Sequence, residues 1–257
     1  MTALARAARG AAAIGERVAA IDWPRVAADL DARGAATVER LLAPAECGAL
    51  AALYDEGGDA EDGDGGGRFR SRVVMAAHGF GRGEYKYFAY PLPPLVAELR
   101  GSWYPHLAPI ANRWSAELGR EPALAFPDDH ASYLARCHAA GQARPTPLLL
   151  RYGAGDYNCL HQDLYGEQVF PLQVAILLSE PGRDFTGGEF VMTEQRPRMQ
   201  SRPMVVPLGR GDAVVFAVHH RPVHGTRGAY RVNLRHGVSQ VHAGQRFTLG
   251  VIFHDAA

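Results

Sequence analysis

The pattern of apolar and polar positions reads mainly as helices up to residue 140 and as strands from Pro147 onward. Leu4 to Ala20 is Ala-rich and helix-prone. Asp22-Trp23-Pro24 reads as a helix start with proline in the first turn, and Val26 to Leu30 continues it. Gly34 to Leu42 predicts a short strand, and Pro44 opens a helix through Leu53. Leu95 to Leu118 and Ser132 to Ala140 also read as helices. Between the helix through Leu53 and the one from Leu95, Arg68 to Met75 and Gly83 to Tyr90 interleave cations with aromatics, as in a strand pair. Further on, Leu148, Leu149 and Leu150 run into a Gly-Ala-Gly-Asp turn, and a second extended segment reaches Asp163. Val169 to Ser179 is an apolar run closed by Ser-Glu-Pro-Gly, a buried strand and its turn. Phe185 to Met192 and Gly211 to Phe216 follow, and His236 to Phe253 reads as strand, glycine turn and closing strand. The fold class expected from this order is α+β.

Composition narrows the picture. A chain of 257 residues forms one large domain or two small ones and buries a substantial core. The formal charge is zero, so no overall polyelectrolyte attraction is implied, but the charge is unevenly placed. Between Glu194 and Arg246 stand nine arginines against two acids, Glu194 and Asp212. A basic half favours an anionic substrate. Against this, Lys86 is the only lysine, so arginine is the default cation and part of the enrichment is surface dressing. Acids gather in the low-complexity run Gly57 to Gly67, expected to be a mobile loop.

Three cysteines, Cys47, Cys137 and Cys159, lack a Cys-x-x-Cys spacing, and their odd number argues against a disulfide framework. Cys159, two before His161, is expected to be a small buried filler on the same face. Arg6 and Arg9 sit in an Ala-rich run without a convincing apolar leader, and no stretch is long enough to span a membrane. The expectation is a cytoplasmic protein with reduced thiols and no membrane partner.

The chemistry centres on Arg151-Tyr-Gly-Ala-Gly-Asp-Tyr-Asn-Cys-Leu-His161-Gln-Asp163. In a strand, residues i and i+2 point to one face, so His161 and Asp163 are presented side by side. They form two corners of a 2-His-1-carboxylate triad that holds Fe(II) and leaves positions open. Alone, His-x-Asp reads equally as two polar residues on an exposed strand. His236 offers a third ligand, and Arg246, ten residues later, a guanidinium that fits a carboxylate bidentately.

From Pro147 to Asp255 these features resemble the Fe(II)/2-oxoglutarate-dependent dioxygenases. His236, Val238, Gly244 and Arg246 resemble the prolyl-4-hydroxylase branch, with Val238 one place short. The stretch from Arg151 to Asp163 resembles AlkB-type nucleic-acid dealkylases, and the chain as a whole resembles bacterial oxygenases assigned to dealkylation of damaged nucleic acid. Phe185-Thr-Gly-Gly-Glu-Phe and Gly211-Asp-Ala-Val-Val-Phe resemble the strands of that superfamily's double-stranded β-helix, or jelly roll. The resemblance implies a single oxygenase domain over 1–257. Residues 145–257 would form the jelly-roll catalytic core, and 1–140 a mainly helical support with the Gly/Asp loop near 57–67. It further implies Fe(II) on His161, Asp163 and His236, and 2-oxoglutarate with its far carboxylate on Arg246 and a hydrogen bond from Tyr152. O2 would be consumed, a C–H bond hydroxylated, and succinate and CO2 released. The implied substrate is alkylated DNA or RNA, its base exposed or flipped; peptidyl-prolyl or small-molecule hydroxylation is the enzymatic alternative.

Other assignments stay open in the sequence. His219, His220 and His224 follow Phe216 and compete for the third corner. With His224, Arg235 falls eleven residues on, and Tyr230 to Arg235 resembles an AlkB-type segment. His236 is preferred because it leaves Phe247 to His254 as a closing strand; His242 and His254 then read as exposed or structural. Arg221 to Arg231 looks like a hairpin beside the metal that grips phosphate, and the segment around Tyr85 and Tyr87 reads either as a base-stacking lid or as an ordinary strand pair. A non-catalytic cupin-like module would share the sheet with its ligands pointing apart. A zinc hydrolase is disfavoured, since no Glu adjoins either ligand as general base.

Overall fold

The computed structural model describes residues 13–56, 67–119, 125–226 and 228–257. The expected helix over Leu4 to Ala20 lies partly outside them, and the expected loop near 57–67 almost wholly so.

Five helices are seen among the described residues: α1 (Ile14–Ala19), α2 (Trp23–Arg33), α3 (Pro44–Glu56), α4 (Pro94–Glu117) and α5 (His130–Ala139). Their ends follow local chemistry. The Asp22 carboxylate accepts the backbone N–H of Arg25 at 3.0 Å and opens α2, which Gly34 closes at φ 75°. Asp129 caps α5 through Ser132 N–H at 2.8 Å. Trp103, Tyr104 and Leu107 of α4 are buried, and the Tyr104 ring packs on Tyr133, Phe170 and Phe253. No helix among the described residues is long and apolar enough to cross a membrane.

The strands run β1 (Ala35–Val38), β2 (Phe69–Val74), β3 (Gly81–Arg82), β4 (Glu84–Phe88), β5 (Leu148–Tyr152), β6 (Tyr157–His161), β7 (Leu172–Leu177) and β8 (Phe185–Gly187). There follow β9 (Phe190–Gln195), β10 (Arg202–Val206), β11 (Ala213–Ala217), β12 (His220–Gly225), β13 (Gly228–Val238), β14 (Val241–Gly244) and β15 (Arg246–Val251). One sheet has the order β1-β11-β7-β15-β5-β4-β2, the other β10-β9-β13-β6-β3 with β12 on β13; β14 and β8 pair separately. Every pairing is antiparallel.

The architecture is α+β with a double-stranded β-helix core. Apolar side chains of both sheets and of the helices, among them Leu149, Ile176, Leu249, Met192, Leu234 and Trp103, merge into one cluster. All six residues of β7 are buried, which explains why the strand is apolar but for Gln173; β13 instead alternates from Arg231 to His236 and has one open face. The first half of the chain carries the strands expected at Gly34 to Leu42, Arg68 to Met75 and Gly83 to Tyr90. It supplies β1, β2 and β4 to the first sheet and β3 to the second. The strand pair β2–β4 was legible as such, but its hydrogen bonding to the edge of β5 is a tertiary fact.

Candidate metal centre and co-substrate pocket

The pairing of β6 with β13 places His161 directly opposite His236. The register slips between this pair and Val238–Asn158, so β6 holds one more residue than β13 over the interval. That bulge turns Cys159 and Leu160 outward and returns His161 to the inner side. Cys159 is therefore exposed, correcting the expectation that it fills the ligand face. Asp163 stands two residues beyond His161, past the end of the strand.

Three side chains converge. His161 Nε2 lies 3.4 Å from Asp163 Oδ1, and His236 Nε2 lies 3.3 Å from Asp163 Oδ2. The imidazole centroids are 4.3 Å apart, and one donor atom from each of the three residues falls within 4.8 Å of the others. Nδ1–H of His161 donates to the Cys159 carbonyl at 2.8 Å, which fixes the tautomer and leaves the Nε2 lone pair free. Asp163 and His236 are buried, while about a third of the His161 side chain is exposed (35 %). Burial alone would raise the Asp163 carboxyl, but hydrogen bonds and charge from His161 and His236 outweigh it and hold the group well below its ordinary range. Burial likewise opposes charge on His161, yet the contact with Asp163 prevails and raises its pKa. His236 is lowered, first by burial and then by the His161 charge.

Arg246 opens β15 opposite Tyr152 of β5. Its guanidinium is buried; Nη1 donates to Thr248 Oγ1 at 2.5 Å, Nε has no hydrogen-bond partner, and no carboxylate pairs with it among the described residues. Burial pulls its pKa down to about 10. The Tyr152 and Phe185 rings lie 5.6 and 5.9 Å from the guanidinium carbon. One cavity is lined by Asp163 and His236 and also by Arg246, Tyr152, Asn158 and Thr248.

Residues 83–256 match the family Oxygenase-NA, described as "Oxygenase, catalysing oxidative methylation of damaged DNA". The chain belongs to this family. Two uncharacterized proteins of Mycobacterium tuberculosis, from strains CDC 1551 / Oshkosh and ATCC 25618 / H37Rv, are each 52 % identical to it over 170 residues, which cover 66 % of this chain and 72 % of each relative. Among solved structures, an oxidoreductase of the 2OG-Fe(II) oxygenase family from Burkholderia pseudomallei aligns with a TM-score of 0.53 at 16 % identity, over 93 % of this chain and 94 % of that one. A Pseudomonas putida prolyl-4-hydroxylase aligns with a TM-score of 0.47 at 13 % identity, over 89 % and 96 % of the two chains. The Oxygenase-NA chain is thus an oxygenase, an oxidoreductase, with the fold of the 2-oxoglutarate/Fe(II)-dependent enzymes.

The donor set of this Oxygenase-NA chain fits those cofactors. Two imidazoles and one carboxylate at mutual contact distance suit Fe(II) and leave positions for 2-oxoglutarate and O2. A buried, unpaired guanidinium in the same cavity suits a dicarboxylate, because only an incoming anion relieves the burial of its charge. A cupin-like module with diverging ligands does not fit this convergence.

The rival third ligand does not join the cluster. His224 is exposed on β12, its Nε2 3.3 Å from Glu117 Oε2, away from the cluster of His161, Asp163 and His236. Arg235, its companion in that reading, faces solvent on β13. His219 and His220 pack on each other with centroids 4.3 Å apart. The hairpin expected from Arg221 to Arg231 exists as β12–β13, but Arg221 is buried against Glu194 and cannot grip a phosphate. Tyr87 is buried too, under the Arg70 guanidinium at 4.4 Å, so the Tyr85/Tyr87 segment is a packed strand pair and not a lid.

Sequence reasoning missed Tyr165, whose hydroxyl donates to Asp163 Oδ1 at 2.8 Å. Its place two residues beyond Asp163 carried the same i, i+2 signal that had linked His161 to Asp163. Asn158, which donates from Nδ2 to the Tyr152 hydroxyl at 3.3 Å, was also missed.

Proposed function

We propose that His161, Asp163 and His236 are the ligands of one Fe(II) ion, that Arg246 and Tyr152 receive the far carboxylate of 2-oxoglutarate, and that the substrate is alkylated DNA or RNA. The reading is carried by the single cavity that joins the two candidate ligands Asp163 and His236 to the unpaired Arg246 guanidinium. Iron held there with 2-oxoglutarate and O2 supplies the oxidant that hydroxylates a C–H bond, with release of succinate and CO2.

The chain's own residues then have separate tasks. The Cys159 carbonyl keeps the His161 ring oriented with its Nε2 lone pair inward. The two imidazoles keep Asp163 ionised. The Arg246 fork fixes the orientation of the dicarboxylate, with Thr248 steering one of its nitrogens. Leu148, Leu150, Phe190 and Val238 wall the cavity and limit water around the reacting centre. On this reading residues 145–257 are the catalytic core of one oxygenase domain, and the described helices before residue 140 brace it. Hydroxylating an N-methyl group gives a hydroxymethyl that leaves as formaldehyde and restores the base. The nucleic-acid assignment is supported by the family's description and by Arg231 and Arg235, exposed on β13 without an ion pair among the described residues.

Anaerobic addition of Fe(II) and 2-oxoglutarate is expected to give a weak visible charge-transfer band that Asp163→Ala abolishes and Arg246→Ala weakens. Survival of the band in His236→Ala would remove that residue from the ligand set. Succinate and formaldehyde released in equal amounts only with a methylated oligonucleotide support the substrate; turnover driven instead by a prolyl peptide or a small molecule overturns it.

A further inference from the structure

Several arginines of the second half are tied to carboxylates, and two on β13 are not. Arg196, Arg202 and Arg221 converge on Glu194, and Arg210 pairs with Glu180. Arg231 and Arg235 are exposed on β13 and form no ion pair among the described residues. They point away from the core, because Val232, Leu234 and His236 take the buried side of the strand.

The same outer face continues across the sheet. Thr193 of β9 stands opposite Arg235, and Gln195 opposite Asn233. On β6, Asn158 lines the cavity, so its neighbour Tyr157 is turned outward, and the bulge turns Leu160 outward as well. Arg82 of β3 pairs in register with Tyr157 and is exposed without an ion pair among the described residues. Phe80 leads into β3 with its ring stacked on His78. Phe80 is 48 % exposed, Leu160 43 % and Tyr157 38 %. Along β3, β6, β9, β10, β12 and β13 the sole carboxylate is Glu194, and it is buried under Arg221. His161, the partly exposed member of the candidate triad, ends β6 with its side chain on the inner side, opposite this face.

We propose that the outer face of the six-stranded sheet docks single-stranded nucleic acid, with bases stacked on Phe80 and Tyr157 and phosphates met by Arg82, Arg231 and Arg235. This rests on the nucleic-acid reading of the oxygenase site and adds where the strand lies. An open sheet with exposed aromatic rings offers stacking area to unpaired bases, whereas duplex bases are already stacked. Unpaired cations on a face without a free carboxylate complement a polyanion. Arg231 and Arg235, four residues apart on one strand, stand about 13 Å from each other, so they meet different phosphates of one backbone.

The test measures binding of a short labelled single-stranded oligonucleotide with one N-methylated base to the full chain over a range of salt. For the Arg231→Ala/Arg235→Ala double variant the slope of log affinity against log salt should become shallower by about 1.4, from roughly 0.7 for each phosphate that is no longer neutralised. Phe80→Ala and Tyr157→Ala should each weaken binding on the order of tenfold with little change in slope. All three should keep the visible band formed with Fe(II) and 2-oxoglutarate, which separates impaired docking from impaired folding. If the unaltered chain binds and demethylates the oligonucleotide while the variants match it in affinity and slope, the docking face is wrong and the substrate reading stands. Binding of a duplex of the same sequence as tightly as the single strand also overturns the proposal. Failure of the unaltered chain to bind any oligonucleotide removes the substrate reading itself, and the docking face with it.

Discussion

Tyr165 donates its hydroxyl to Oδ1 of Asp163 at 2.8 Å, while Oδ2 of the same carboxylate faces Nε2 of His236 at 3.3 Å. The carboxylate is thereby held at one oxygen, and its rotation about χ2 is restricted. A ligand held in this way loses little freedom when a metal binds. Tyr165 itself is half-buried against Tyr87, and desolvation together with the Asp163 charge pushes its hydroxyl pKa upward, so it remains a donor.

Tyr165→Phe keeps the ring and deletes only that donor. The expected result is a loss of Co(II) affinity of about tenfold or more, the size usual for removal of a partner that orients a metal ligand. Titration of Co(II) absorption measures it, and the d–d bands should change shape as the carboxylate gains freedom. Equal affinity and unaltered bands would assign Tyr165 to packing alone.

A second expectation concerns Arg246. Lowering a guanidinium from its ordinary range to about 10 by burial corresponds to a folding penalty on the order of 3 kcal/mol for the charged form. Arg246→Met removes that charge and fills similar volume. In the absence of 2-oxoglutarate the variant should melt at a temperature equal to or above that of the unaltered chain. Addition of 2-oxoglutarate with a redox-inert metal should raise the melting temperature of the unaltered chain and leave that of the variant unmoved. A variant that melts lower and still responds to 2-oxoglutarate would place the co-substrate elsewhere.

The pair His161 and Asp163 was legible as a local i, i+2 pattern, whereas its grouping with His236 and Arg246 came from the resemblance to the Fe(II)/2-oxoglutarate-dependent dioxygenases. What the sequence did not carry is cross-strand information. The bulge on β6 depends on how that strand meets β13, and it moved Cys159 from the expected interior to the surface. The nine arginines looked alike in the sequence. That Arg196, Arg202 and Arg221 gather on Glu194 while Arg231 and Arg235 stay free follows from the inward or outward turn of single positions on β9, β12 and β13. His224 and His236 were close competitors in spacing, and the register of β13 against β6 decides between their positions.

The pKa shifts set the pH dependence of metal binding. His161 is raised above 6.5, so in the metal-free protein its proton stabilises the pair with Asp163 below that value, and this contribution is lost as pH rises through the folded value. Asp163 is depressed; its contribution is present above 3.8 and lost only as pH falls through its lower folded value. Across neutral pH, therefore, Asp163 stays ionised, and the proton on His161 is what a metal must displace. The rise in melting temperature caused by Co(II) should grow from about pH 6 to about pH 8, with proton release on binding that fades at the upper end. A metal effect that is flat over this interval would show that no ligand of raised pKa is involved.

Gly244 ties the turn geometry to the co-substrate pocket. It adopts φ 81°, and a Cβ there would fall 2.0 Å from the Asp184 carbonyl oxygen, which is backbone and cannot yield like a flexible side chain. The left-handed conformation alone costs a substituted residue roughly 1–2 kcal/mol, and the clash adds to it by forcing β14 away from β8, with which Gly244 pairs through Phe185. Gln245 follows, its N–H donating to that same Asp184 carbonyl at 2.9 Å, and Arg246 follows next. Gly244→Ala is therefore expected to lower the melting temperature by several degrees and to weaken 2-oxoglutarate binding in the same protein, whereas Arg246→Met loses the binding without the stability. Full retention of 2-oxoglutarate affinity in a destabilised Gly244→Ala protein would mean that Arg246 takes its position from Thr248 and Tyr152 and not from the turn.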